Sequence, residues 1–186
     1  FEKHGLSEEI SETIADVLVH ANLRGVDSHG VLRVEHYIKR MKAGGINLNP
    51  ELQETKSTST TGTLDGDNGF GHFVSKKAME SAISKAKEGG IGAVAVKNSS
   101  HCGALSYFVS QATEQNLIGV AMTHADKIVV PFGGAEPFFG TNPIAFGFPA
   151  GEEEPVILDF ATSTVALGKV LNAKEQGATI PSGWGV

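Results

Sequence analysis

The sequence predicts an α/β fold on three observations. Amphipathic helical patterns alternate with short apolar runs of strand length. Glycine is abundant, at 23 of 186 residues, while clusters of Ser, Thr and Pro stay short, as in a loop-rich α/β protein rather than a helical bundle. An apolar run, a helical pattern and a second apolar run follow one another over residues 91–122. With 40% apolar residues, a chain of this length buries one sizeable core, or one domain with part of another.

From Ser7 onward, Ile10, Ile14, Val17, Leu18 and Ala21 recur at helical spacing, with Ser7 as N-cap and Gly25 as stop. A second helix is expected to start at Asp27 or Ser28 and end near Gly44-Gly45, burying Val31, Val34, Ile38 and Met41. Residues 50–71 are polar and turn-rich, with a strand over 60–64 before Asp65-Gly66-Asp67-Asn68-Gly69. After Gly71 a third helix carries Val74, Ala78, Ala82 and Ala86 on one side and stops at Gly89-Gly90. Residues 91–96 read as a buried strand, 104–115 as a helix and 117–122 as a strand, which predicts a βαβ unit with parallel strands and a right-handed crossover. Strands over 144–148 and 156–158 frame an acidic turn at 151–155, and a last helix is expected over 164–173.

Charge and composition exclude several classes. Against 21 acidic residues stand 15 basic ones, a net charge of −6, and no Lys/Arg run follows a phosphate backbone, so nucleic acid is not an expected partner. No apolar stretch is long enough to cross a bilayer, and the amphipathic N-terminus is unlike a secretory signal, so neither a membrane nor secretion is expected. The lone Cys102 cannot form an internal disulfide, which agrees with a reducing, cytoplasmic setting. The histidines lack an H-E-x-x-H or Cys-His zinc spacing, so no metal is expected, and neither a Walker loop nor a G-x-S-x-G elbow is present. The chain starts at Phe1 without a methionine and stops soon after a Pro-containing turn, and residues are expected to be missing at both ends.

Two segments carry candidate chemistry. On the second helix His29, Arg33, His36, Tyr37 and Arg40 share one narrow sector, which a solvated basic face would also explain. Ser28 and His29 stand at the expected helix start, where free N–H groups attract an anion, and Arg33 one turn on offers a guanidinium to a carboxylate. The second segment, Asn98-Ser99-Ser100-His101-Cys102-Gly103, lies between a strand's C-terminal end and a helix, the edge where open α/β sheets bind ligands. A histidine there can exchange the hydroxyl proton of an alcohol, while capping by Ser100 is the ordinary alternative. Cys102 with His101 as base is a poor nucleophilic pair, because adjacent residues point apart, and a packed thiol suits it better.

The match Gly90-x-Gly92-x-x-Ala95 fits a dinucleotide fingerprint in letters only, since it runs from a helix end into a strand. A nicotinamide would instead meet the Gly140-Thr141-Asn142-Pro143 loop and the Phe160-Ala161-Thr162 segment, although turn and cap chemistry explains both equally well.

Together, Arg24-Gly25-Val26-Asp27-Ser28-His29-Gly30, the 98–103 segment, Pro131-Phe132-Gly133-Gly134, Gly140-Thr141-Asn142-Pro143 and Asp159-Phe160-Ala161-Thr162-Ser163 resemble, in order, the malate/L-lactate dehydrogenase family. The resemblance implies a mixed sheet with flanking helices and a non-Rossmann nicotinamide site, a homodimer, and a chain that continues in relatives. It implies an N-terminal helical segment, 1–60, contributing to the substrate site, and an incomplete cofactor-binding domain, 61–186. By the same resemblance His101 is the proton acceptor and donor, with His29 as competitor. Ser28, His29, Arg33 and Tyr37 line the substrate site, and Ala125 with Phe160, Ala161 and Thr162 contact the cofactor, to which the loop reading adds Thr141 and Asn142. That cofactor is expected to be NAD, with NADP open because no residue reading the ribose 2′ position is identifiable. The expected reaction is hydride transfer between a small 2-hydroxy acid and the nicotinamide. Ala125-Asp126 before Val129-Val130-Pro131 looks closest to the ureidoglycolate branch, and the Asp126 carboxylate would accept from ureido N–H groups and repel a second carboxylate. Ureidoglycolate oxidation to oxalurate is therefore expected ahead of malate or L-lactate oxidation, with a ligand-binding relative that has lost turnover as the alternative.

Overall fold

The computed structural model describes residues 1–165 and 167–185; Ala166, within the expected 164–173 helix, Val186, and the side chains of Leu167 and Asn172 lie outside that description. Helix α1 spans Glu8–Leu23, and the Ser7 hydroxyl caps it by accepting the Ile10 N–H. Ile10, Ile14, Val17, Leu18 and Ala21 are buried along its inner face. Gly25, at φ +72°, then turns the chain in a conformation that suits glycine.

The expected second helix begins nearly two turns later, at Val34. Asp27–His29 and Val31–Arg33 are separate 3-10 turns, and α2 covers Val34–Lys42. The break is at Gly30, pressed so close to α1 that a Cβ there would lie 2.2 Å from Asn22 Oδ1. That oxygen accepts the Val31 N–H, and the Asn22 amide donates to Asp27, so a side chain replaces the helical ladder. The buried face changes accordingly. Tyr37 and Met41 are buried with Ile38 beside them, while Val31 and Val34, expected inside, are exposed.

Two three-stranded sheets follow. In the first, β1 (Gln53–Thr55) runs antiparallel to β2 (Thr61–Gly69), and β3 (Ala93–Ser99) runs parallel to β2, making this sheet mixed. Helix α3 (Gly71–Gly89) joins the parallel pair, so the βαβ unit is one step earlier in the chain than expected. After β3 the chain enters α4 (Ser106–Thr113) and then β4 (Gly119–Met122), which belongs to the second sheet with β5 (Ile144–Ala150) and β6 (Glu153–Phe160), all antiparallel. Glycines direct that switch. Cβ atoms on Gly119 and Gly147 would lie 2.8 and 2.9 Å from Val109 O, so β4 and β5 sit directly on α4. A Cβ on Gly92 would meet Ala82 O at 1.9 Å, which gives the Gly90-x-Gly92 pattern a packing explanation. Strand β3 is mostly exposed rather than buried, because α3 covers only one face and Val94 is the residue that packs there.

One core cluster joins α1, Tyr37, Met41, Phe70 and Phe73, and another joins Val17 to Leu105, Phe108, Val109 and Ala145. In the second sheet Ala121, Ala145 and Ile157 face α4, while the alternate residues Val120, Met122, Val156, Leu158 and Phe160 are exposed on the outer face. Helix α5 covers Leu167–Glu175. Among the described residues no helix is long and apolar enough to cross a membrane.

Candidate active site

The segment bearing His101 is fixed by its neighbours before its ring meets anything. The Ser100 hydroxyl donates to Gly69 O and accepts the Gly71 N–H, both at 3.1 Å, tying the loop after β3 to the first turn of α3. Gly71 permits this approach, since a Cβ would lie 2.1 Å from Ser100 O and 2.6 Å from His101 O. Gly103, at φ +81°, turns the chain again and donates its N–H to His101 Nδ1 at 3.3 Å.

The same Nδ1 lies 2.8 Å from the hydroxyl of Tyr37, a residue only 1% exposed. His29 stacks on His101 with ring centroids 5.6 Å apart and planes inclined by 24°. The Ser28 hydroxyl is 3.0 Å from His29 Nδ1, and Arg33 Nε donates to Ser28 O at 2.7 Å. The structure thus brings Ser28, His29, Arg33, Tyr37 and His101 into one group. Beneath them lies His72, fully buried, with its centroid 5.0 Å from Tyr37 and 6.2 Å from His101 and neither ring nitrogen hydrogen-bonded among the described residues.

Dehydration governs the charges here. His101 keeps one side open, but protein crowds the rest of its ring; this burial, with the charges of His29 and Arg33 adding to it, pushes the imidazole down to about 4. Burial holds His72 down to about 3 and also lowers His29. It raises the Tyr37 phenol above its ordinary range and pushes the Cys102 thiol up to about 11, which leaves no thiolate for attack at neutral pH. One sequence expectation changes: Ser28 and His29 occupy a three-residue 3-10 turn, not the start of an α-helix, so an anionic group here would rely on the Arg33 guanidinium rather than on a helix terminus.

The cofactor candidates gather elsewhere. Met122 pairs with Ile144 and Ile144 with Phe160, so 123–125, 140–143 and 160–162 meet at one end of the second sheet. Thr162 donates its N–H to Thr141 O at 2.9 Å and its hydroxyl to Thr141 O and Asn142 O, both at 3.1 Å. Ala125 N–H donates to Asn142 Oδ1 at 3.1 Å, and a Cβ on Gly140 would lie 2.3 Å from Ala125 O. Ala161 lies between Phe160 and Thr162 and is half-buried. Asp126 is exposed, with no hydrogen bond or ion pair among the described residues, and it does not join the histidine group. Gly168 of α5 approaches that group, since a Cβ on it would be 3.4 Å from Ser28 Cβ.

Sequence reasoning missed His72 and the part played by Asp159. His72 falls off the apolar stripe of α3, and only the Gly-Phe-Gly run before it hinted at close packing. Asp159 points inward from β6 and accepts the Ser106 N–H at 2.8 Å, a cap supplied from 53 residues away that no local pattern reveals.

The family model for malate/L-lactate dehydrogenase matches residues 1–186. Ureidoglycolate dehydrogenase (NAD(+)) of Escherichia coli is 43% identical over 98% of this chain and 52% of its own length. Malate dehydrogenase of Pyrococcus abyssi is 44% identical over 99% and 51%, and L-sulfolactate dehydrogenase of Methanocaldococcus jannaschii is 43% identical over 99% and 53%. Among solved structures, malate dehydrogenase from Entamoeba histolytica superposes with a TM-score of 0.94 at 40% identity, covering 98% of this chain and 51% of that one. Sulfolactate dehydrogenase from M. jannaschii gives 0.91 at 43%, covering 97% and 52%. The chain spans about half the length of the curated relatives it matches.

Proposed function

This chain belongs to the malate/L-lactate dehydrogenase family, and on that premise we propose that it supplies the acid-binding and proton-transfer groups of a nicotinamide-dependent 2-hydroxyacid dehydrogenase. The observation that carries the reading is the His101 ring, anchored through Nδ1, beside an Arg33 bonded through Nε; among the described residues neither His101 Nε2 nor the terminal guanidinium nitrogens of Arg33 have a partner. The terminal guanidinium nitrogens of Arg33 receive the substrate carboxylate. His101 Nε2 takes the proton of the 2-hydroxyl group, and the acid leaves as a 2-keto acid once hydride has left the same carbon. A nicotinamide, when bound, supplies the hydride acceptor. The imidazolium formed at His101 is stabilised by the adjacent substrate carboxylate, and His29, lowered and stacked above, adds no competing charge at neutral pH.

The end of the second sheet fits such a cofactor in its donor set. The Asn142 amide nitrogen and the Thr141 hydroxyl have no partner among the described residues, and exposed Met122 and Phe160 offer apolar surface to a flat ring. NAD is the form proposed, supported by the NAD(+) in the name of the E. coli relative. A homodimer is the proposed assembly, and the exposed Val31, Leu32 and Val34 beside the site support a covered face there.

Ureidoglycolate is the proposed substrate, with the free carboxylate of Asp126 accepting from the ureido group. Malate is the second reading, favoured by the 44% identity to the P. abyssi enzyme against 43% to the E. coli one. Absorbance of reduced nicotinamide, followed with the full-length protein and a panel of 2-hydroxy acids, tests both. The fastest reduction of NAD is expected with ureidoglycolate, and a cofactor that binds but is reduced by no acid would end the dehydrogenase reading. Asp126→Ser is expected to lower kcat/KM for ureidoglycolate about tenfold and for malate less than about twofold. Equal losses would remove Asp126 from substrate choice.

A further inference from the structure

We infer that Tyr37 is a positioning residue that lets His101 exchange ring tautomers, not a group that touches the acid; this rests on the proton-transfer role proposed for His101. The donors and acceptors at one atom, His101 Nδ1, decide its role. Nδ1 of His101 receives the Gly103 N–H, and a backbone amide can only donate. In the resting neutral ring Nδ1 therefore carries the lone pair and Nε2 the proton, and the Tyr37 hydroxyl donates to Nδ1 as well.

That tautomer cannot act as a base at Nε2. For Nε2 to receive a proton it must first be bare, so the ring proton must sit on Nδ1. An Nδ1–H then faces the Gly103 N–H, donor against donor, and needs an acceptor. The titratable and charged groups facing the ring are His29 and Arg33 from the 3-10 turns, His36, Tyr37 and Arg40 from α2, His72 from α3, and Cys102 next in the chain. Among the described residues only Tyr37 bonds the ring from a side chain, and a phenol hydroxyl can turn from donor to acceptor. Its burial leaves it no route to the acid except through His101, and the edge-on contacts with Phe70 and His72 at 5.8 and 5.0 Å fix its ring. The proton count balances once the exchange is included: Nε2 releases its proton to solvent on the open side of the ring, Nδ1 takes one from solvent as the Tyr37 hydroxyl turns to accept from it, and the hydroxyl proton of the acid then goes to the bare Nε2.

The test uses full-length protein with 15N-labelled histidine, the His101 signals being identified by their loss in His101→Gln. At pH 7 the native protein is expected to show a protonated Nε2 and a bare, hydrogen-bonded Nδ1. In Tyr37→Phe the Nδ1 signal should move downfield, toward an unbonded nitrogen, while the His20 and His124 signals hold and report an intact fold. Turnover of the variant should fall about 10–100-fold, with KM for the acid within about threefold of native. A native His101 protonated on Nδ1 at rest overturns the inference without any variant. So does an unmoved Nδ1 signal in Tyr37→Phe together with a KM raised tenfold, the mark of a substrate ligand. Undiminished turnover in His101→Gln would instead overturn the proton-transfer role, an outcome these nitrogen signals keep distinct.

Discussion

The corner around His101 is tied through its side chains, whereas the far end of the second sheet is tied largely through backbone. Tyr37 reaches His101 across 64 residues of sequence, Ser28 meets the His29 ring, and the Ser100 hydroxyl joins a main-chain atom at the end of β2 to one at the start of α3. At the sheet end, Thr162 N–H meets Thr141 O, Thr123 N–H meets Pro143 O, and Val129 bridges to Phe139. Side-chain bonds fix protonation and aim, which chemistry on a substrate needs. Backbone ties fix shape and depend less on residue identity, which suits holding a large ligand.

If the two regions divide the work in this way, variants in one should leave the other's readout alone. The largest effect is expected from His101→Gln, which should cut turnover about 10²–10⁴-fold. Fluorescence titration should find its nicotinamide Kd within about twofold of native, and joint loss would show that the two regions act as one. Next comes a reciprocal pair. Arg33→Lys removes a planar, two-pronged donor and is expected to lower kcat/KM about 10–100-fold, chiefly through KM for the acid. Asn142→Ala should weaken nicotinamide about tenfold and leave that KM unchanged, each constant read from initial rates or titration.

A smaller effect separates the regions by acid sensitivity. His72 is held down to about 3 in the folded chain against an ordinary value of 6.5. Between those values the unfolded chain binds the extra proton, so the stability from burying a neutral ring is complete above about pH 6.5 and lost as pH falls toward 3. His101, held down to about 4, acts in the same direction. Urea unfolding should therefore show native stability falling between pH 7 and pH 5 by up to about 1.4 kcal/mol per pH unit for the fully buried His72, with a smaller share from His101, whose ring is open to solvent on one side. His72→Leu should flatten that fall, and Asn142→Ala should retain it; an unchanged slope in His72→Leu would place the acid sensitivity elsewhere. The smallest effect belongs to Cys102→Ala, with turnover within about twofold of native, because the thiol is buried and protonated.

What the sequence made legible was local. The cap at Ser7 and the apolar stripe of α1 hold, since spacing and capping act within a few residues. The second helix misleads because Asn22, on a different element, takes over the Val31 N–H and rotates Tyr37 inward where Val34 was expected. The parallel unit is displaced by one step because pairing depends on which glycines let strands lie on α4, a property of space rather than order. The grouping of Ser28, His29, Arg33, Tyr37 and His101 was anticipated through resemblance to a family. That Tyr37 meets the histidine rather than open space was not, because burial of its ring is decided by Phe70 and His72.

The doubly bonded hydroxyl of Ser100 has a consequence of length rather than chemistry. Because one oxygen spans Gly69 O and Gly71 N, the residues from the end of β2 to the start of α3 and those from the end of β3 to His101 must keep in step. A single insertion or deletion in either stretch would carry the imidazole away from Tyr37, whereas substitutions at the exposed Asn68 leave the count intact. Indels in these two stretches should thus be the rarest tolerated changes in any library built on this chain, rarer than replacement of most of the side chains around them.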